Sequence, residues 1–448
     1  MRLRTLALAF LFAAFAFSAR AANLEALARQ ATAENADEAR AAVAQLRAQG
    51  PKGLDALFQT HDAEIKKRLN AAAVLYSNPA EAEWLRIAAA LDGVAQQKDS
   101  FAARLFWHTD LEQAKAAARQ SGKPILSLRL LGNLTDELSC ANSRFFRATL
   151  YSNAQVSNYL REHFILHWSS ERPVPRVTID FGDGRKLETT LTGNSIHYVL
   201  DAQGRVVDAL PGLYGPAAFL RALQEAEKFA LSVRGQSGGA LAFAVRNYHS
   251  NRLNRQNQAW AADLAKAGVE IKRAAPPVAQ PNAVSPNAVT VAPATAAASM
   301  AVTKSSVEVR LVRELVPDPE NLSAITDEAA WQKIAALHAT DAQLDANSRA
   351  LMARHLPPLI VNRKLSPEAR LDVLVGNFEK LAALDTVRNE YLLRPRLDAW
   401  FANGQAGNLE ELNRRVYAEL FLTPRADAWL GLYGPDTYTG LENGGLKP

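Results

Sequence analysis

Only one cysteine stands in the 448 residues. A single thiol excludes an internal disulfide framework and an intrachain Cys-x-x-Cys couple. Three fates remain for Cys140: a buried inert thiol, a reactive lone thiol, or one half of an intermolecular bond. Net charge is also small. The formal charge is +5, and Arg2, Arg4 and Arg20 supply three of those charges. The remainder gives no electrostatic case for nucleic acid. No stretch is long and apolar enough to span a bilayer, which takes about 20 residues. Metal-ligand spacing is absent as well. His163 and His167 are four apart, but the pattern puts one at a helix end and the other in a strand, so they are not a zinc pair. The sequence therefore predicts no metal and no cofactor.

Hydrophobic residues make up 48% of the chain and charged residues 22%, so the bulk is globular, with enough apolar mass for more than one core. The first 21 residues read as a secretory signal. Arg2 and Arg4 make a positive start, Leu6 to Phe17 is an uncharged apolar run, and Ala19-Arg20-Ala21 is a small-x-small cleavage site. Cleavage after Ala21 would leave a periplasmic or secreted protein with no transmembrane segment.

Residues 22–105 read as a helical region. Leu54, Leu57 and Phe58 form a one-faced stripe, and Gly50-Pro51 breaks the preceding helix. Residues 106–235 alternate between helical and strand patterns. Thr109-Asp110-Leu111-Glu112 has capping-box form with Thr109 at the cap. The apolar run Ile125 to Leu131 suits a buried central strand. A helix follows Cys140 to His163, kinked near Ser152-Asn153. Then come the strand candidate Phe164 to Trp168, a hairpin over Val177 to Leu191, and a second hairpin from Ile196 to Leu210. Residues 236–272 read as a helical extension. Residues 273–305, rich in Pro, Ala and Val and almost uncharged, read as a flexible linker. Residues 306–448 read as a helical C-terminal domain with one short strand at 307–311. The tether predicts that this domain moves independently.

Residues 106–230 resemble the exported branch of the thioredoxin-like superfamily. The resemblance rests on Asp110-Leu111…Ala114, on Gly122-Lys123-Pro124, and on Leu200-Asp201-Ala202-Gln203-Gly204. The stretches Ser139–Phe146 and Gly193–Tyr198 are similar to those of an exported bacterial family without an assigned role. The expected architecture is an α/β thioredoxin-like domain flanked by the N-terminal helical region and the linker-tethered C-terminal helices. The resemblance puts the redox position at Cys140, directly after the first central strand. It also marks two departures. The second cysteine of the family motif falls at Ser143, and the family's cis-proline position falls at Ser195. Both argue against an ordinary dithiol reductase.

A thiol at a helix N-terminus meets unpaired N–H groups and the positive dipole end, which favour thiolate. Ser143 and Arg144 follow within one turn and could support the charge. His197, on the closing strand beside Ser195, is the candidate proton acceptor for a Cys–His pair, against the plainer reading of a strand histidine with satisfied nitrogens. Asn142, Arg144, Asn194 and Ser195 are the candidate substrate groove. Two functions stay open. One is a monothiol redox protein that forms a mixed disulfide with a partner thiol or disulfide. The other is a non-catalytic envelope binding or assembly protein that uses the fold as an interaction module, with the C-terminal domain as a further partner surface.

Overall fold

The computed structural model describes residues 23–75, 81–190, 193–269, 322–356 and 365–426. The signal segment, the linker 273–305 and the strand expected at 307–311 lie outside the described residues.

The chain is mixed α/β around a five-stranded mixed sheet. The strands are β1 (Trp107–His108), β2 (Ile125–Leu131), β3 (Ile165–Arg172), β6 (Ser195–Leu200) and β7 (Val206–Pro211), in the order β1-β3-β2-β6-β7. β4 (Arg176–Asp180) and β5 (Lys186–Thr190) form a separate two-stranded ribbon. β2 is buried along its whole length and lies at the centre. It runs parallel to β3 and antiparallel to β6. A parallel neighbour needs a long crossover. Here the segment after Cys140 supplies it.

That crossover is helical but broken. Residues Ala141–Phe145 start an α-helix, and Phe146–Tyr151 widen into a π-helical turn. The kink expected near Ser152-Asn153 is a full break. Asn153 stops one helix and caps the next, Ala154–His163, by accepting from the N–H groups of Gln155 and Val156. The helix before β2, Leu111–Ser121, is capped by Asp110 and not by Thr109. The Asp110 carboxylate accepts from the Gln113 N–H at 2.9 Å. Aspartate one residue later reaches the same orphan donor with a charge-assisted bond.

The two faces of β2 and β6 meet different neighbours. Leu128 pairs with His197, and Leu130 with Ser195. Their face lies under Cys140, Phe146, Tyr151 and Phe219 of the flanking helices. On the other face Ser127 pairs with Tyr198, and Arg129 with Ile196. The C-terminal helices cover it. Arg129 is ion-paired with Glu410, and the Tyr198 hydroxyl donates to Asn413 Oδ1 at 3.2 Å.

This differs from independent movement on a tether. Trp331, Leu392, Phe401, Leu412 and Tyr417 of the C-terminal part share one continuous apolar core with the sheet, while Met352, Ala353, Leu371 and Val375 form a small cluster of their own. Gly215 N–H donates to Thr386 Oγ1, and Asn389 Nδ2 donates to the Leu213 carbonyl. The long helix Gly238–Lys266 bridges the two parts; its Trp260 stacks on Trp331 and Tyr391. The N-terminal helices form a second core around Trp84, Leu91, Leu46 and Phe101, which Leu351 of the C-terminal part joins.

Candidate functional site around Cys140

Cys140 is the N-cap residue of the helix Ala141–Phe145, directly beyond the loop that follows β2. It is fully buried, with 0% exposure. Its Sγ lies 3.0 Å from Ser195 Oγ and 3.4 Å from Ser143 Oγ. Ser143 Oγ also lies 2.7 Å from Ser139 Oγ and 2.8 Å from the Cys140 carbonyl. Its one proton therefore has better acceptors than sulfur, and Ser143 accepts from the thiol instead of donating to a thiolate. The sequence thus brings three of its candidates together: Cys140, Ser143 and Ser195.

His197 is not among them. Its Nε2 lies 2.6 Å from the Tyr151 hydroxyl, and its ring packs against Phe146 and Phe219. The reason is strand geometry. Ser195 and His197 share a face, but residues two apart are separated by about 6.6 Å along a strand. Ser195 takes the place beside sulfur, and His197 falls one step beyond it. His197 Nδ1 has no partner among the described residues. Burial holds the imidazole neutral, with its pKa pushed down to about 3.

The expected groove is occupied by the chain itself. The buried Asn194 donates through Nδ2 to Thr423 Oγ1 at 3.0 Å, and its carbonyl accepts from the Tyr417 hydroxyl at 3.2 Å. The Ser195 carbonyl accepts from the Gly212 N–H. Arg144 turns to Thr190 Oγ1 at 3.0 Å. Asn142 closes against Gly193, where a Cβ would stand 3.1 Å from the carboxamide oxygen. The Asn194 carbonyl and carboxamide thus already have partners, in Tyr417 and Thr423.

No family model, curated protein or solved structure matches this chain. The geometry alone therefore carries the reading.

A second buried polar cluster has no counterpart in the sequence reading. Asp208 of β7, His249 of the long helix and Asp398 of the helix Arg394–Ala402 bring ligand atoms within 4.8 Å of one another, all buried. A divalent cation would suit that spacing. Arg252 fills the place instead. Its guanidinium donates to both oxygens of Asp208 at 2.5 and 2.6 Å, and its Nε lies 2.9 and 3.0 Å from the Asp398 oxygens. Burial alone would raise Asp208; the charges of Arg252 and Arg394 outweigh it and hold the carboxyl well below its usual range. His249 faces Asp398 through Nδ1 and the Val207 carbonyl through Nε2. A cleft of about 370 Å³ opens beside this cluster, edged by Arg221, Arg255 and His338. Its rim charges are already paired, Arg221 with Asp341 and Arg255 with Glu225.

The buried histidines give a pH prediction. His167, beside Ser127 Oγ at 2.8 Å, is pushed down to about 4 by burial and then by the Arg129 charge. His197 behaves likewise. Both folded values lie below the unfolded value. Their stabilisation is therefore complete above about pH 6.5 and is lost as pH falls, because the unfolded chain takes up protons that the fold refuses. Each contributes a slope of up to about 1.4 kcal/mol per pH unit between about pH 6 and pH 4. In His197→Gln, which keeps an acceptor for Tyr151, urea midpoints followed across that window should show a flatter acid limb by about one such slope. An unchanged limb would mean that His197 is protonated in the fold.

Proposed function

We propose that this chain is an extracytoplasmic binding or assembly protein, built on a thioredoxin-like domain whose groove its own C-terminal helices fill. The fold assignment is supported by the strand order β1-β3-β2-β6-β7, by parallel β1, β3 and β2 beside antiparallel β6 and β7, and by Cys140 at the mouth of the helix after β2. The export assignment rests on the N-terminal signal pattern. The observation that carries the functional reading is the burial of Cys140 beside the Asn194-Ser195 segment, where the Asn194 carbonyl and carboxamide are bonded to Tyr417 and Thr423. A thiol without contact to solvent neither attacks a partner disulfide nor meets an oxidant. A groove filled in cis offers no strand for a substrate.

The second reading, a monothiol that acts once the cover lifts, draws on the two hydroxyls within 3.4 Å of sulfur. In that chemistry the thiolate would form a mixed disulfide and expel the partner's other sulfur as thiolate, with release left to a thiol supplied in trans.

One measurement separates them. Iodoacetamide labelling of the processed full-length chain should be slower in the native state than in urea by at least about a thousandfold, since it must wait for an opening of several kcal/mol. Cys140→Ser provides the blank. Native labelling within about tenfold of the unfolded rate would overturn the binding-protein reading and favour the monothiol.

A further inference from the structure

The ribbon β4–β5 stands apart from the five-stranded sheet, and the chemistry of its outer edge reads the same in both directions. Phe181 N–H donates to the Arg185 carbonyl, so the bonded pairs of the ribbon are Phe181–Arg185, Ile179–Leu187 and Val177–Thr189. In an antiparallel pair the alternate residues turn their backbone groups outward. On β4 these are Arg176, Thr178 and Asp180, all exposed. Among the described residues no other strand pairs with this edge.

Exposed edges are normally blocked by charge. Here the blocking charges cancel when the edge meets itself. Antiparallel pairing centred on Thr178 sets Thr178 opposite its counterpart as a bonded pair. It sets Arg176 opposite Asp180 of the second copy, twice by symmetry. Val177 then faces Ile179 of the second copy in the close, non-bonded positions. Leu187, which is 48% exposed, lies beside Ile179 on the same face. Two such ribbons would join six aliphatic side chains into one strip. The edge of β5 lacks this property. Self-pairing about Glu188 would oppose like charges, and Thr190 at its end is buried, with its hydroxyl donating to the Ser139 carbonyl.

We propose that two copies of this chain associate through the outer edge of β4, antiparallel about Thr178, into a four-stranded sheet. A two-fold interface of this kind closes on itself and stops at the dimer. It is small, so the association is weak and concentration-dependent. The proposal draws on no chemistry of Cys140 and stands whichever way that thiol behaves.

Sedimentation velocity on the processed full chain up to about 100 µM should show a monomer–dimer equilibrium, as befits a small interface. Arg176→Asp puts two acids opposite each other at both ends of the edge, and Asp180→Arg puts two arginines there. Each alone should weaken dimerisation by about tenfold or more. An equimolar mixture of the two variants restores opposite charges at both ends and should recover a heterodimer close to wild-type strength. Both positions are on the surface, so neither variant should unfold the chain; far-ultraviolet circular dichroism checks this. A wild-type chain that stays monomeric, single variants that dimerise as well as wild type, a mixture that fails to recover, or open-ended species larger than a dimer would each overturn the proposal.

Discussion

Arg252→Met is expected to destabilise the fold by about 3–5 kcal/mol, the range for removing one partner from a buried ion pair. Arg252 is buried between the wholly buried carboxylates of Asp208 and Asp398. Methionine nearly fills the volume and leaves two carboxylates without their shared cation. Arg394 answers Asp208 only at 3.5 Å. Arg252→Lys should recover little, because an ammonium is a point charge and cannot bond Asp208 in bidentate fashion while reaching Asp398. Arg252→Met combined with Asp208→Asn and Asp398→Asn should regain part of the loss, since the uncompensated charges go with the cation. Urea denaturation followed by tryptophan fluorescence measures all three. The cluster joins β7, the long helix and the Arg394–Ala402 helix, so the sheet and the C-terminal helices should lose stability together. A cost below about 1 kcal/mol would mean that these charges reach water and that the C-terminal helices are not clamped as described.

Local structure was legible in the sequence wherever one segment decided it. Pro124 and the branched run after it forecast β2. The two hairpin patterns, Val177 to Leu191 and Ile196 to Leu210, forecast the ribbon and the β6–β7 pair, whose turn has Gly204 at φ +86° and Asp201 bonding the Gln203 and Arg205 N–H groups. What the chain hides is partnership across long separations. Arg129 in the middle of a wholly buried strand was the available clue. A guanidinium there demands an acid from elsewhere, and the acid is Glu410. The same argument applies to Tyr198 and Asn413. The linker suggested two bodies, yet these polar groups on the buried sheet face could only be satisfied by a second layer. The site was legible in part. Cys140, Ser143 and Ser195 meet because motif order and strand register bring them together. Of the two readings open for His197, the structure favours a packed strand histidine: two residues beyond Ser195, it lies against Tyr151, Phe146 and Phe219. The Asp208–Arg252–Asp398 cluster left no local signal, since its members come from three segments.

If the C-terminal segment is what seals Cys140, then Tyr417→Ala should speed native labelling of the thiol by about a hundredfold or more. Tyr417 is 2% exposed, packs edge-on to Phe421 at 5.4 Å and donates to the Asn194 carbonyl. Truncating a buried aromatic costs about 3–5 kcal/mol. Each 1.4 kcal/mol of that cost spent on the local closing equilibrium multiplies the open population by about ten. Trp84→Ala is the matched control. It carries a comparable cost, but Trp84 packs against Phe101 in the N-terminal core and not in the core that holds Tyr417. Labelling that rises in Tyr417→Ala and not in Trp84→Ala identifies a local opening at the C-terminal cover, and its rate should depend only weakly on urea because little surface is exposed. An equal rise in both variants, with a steep urea dependence, would instead route labelling through global unfolding. No rise in either would place the barrier in the helix that begins at Cys140. The cover would then have no part in guarding the thiol, and the filled groove would be a matter of packing alone.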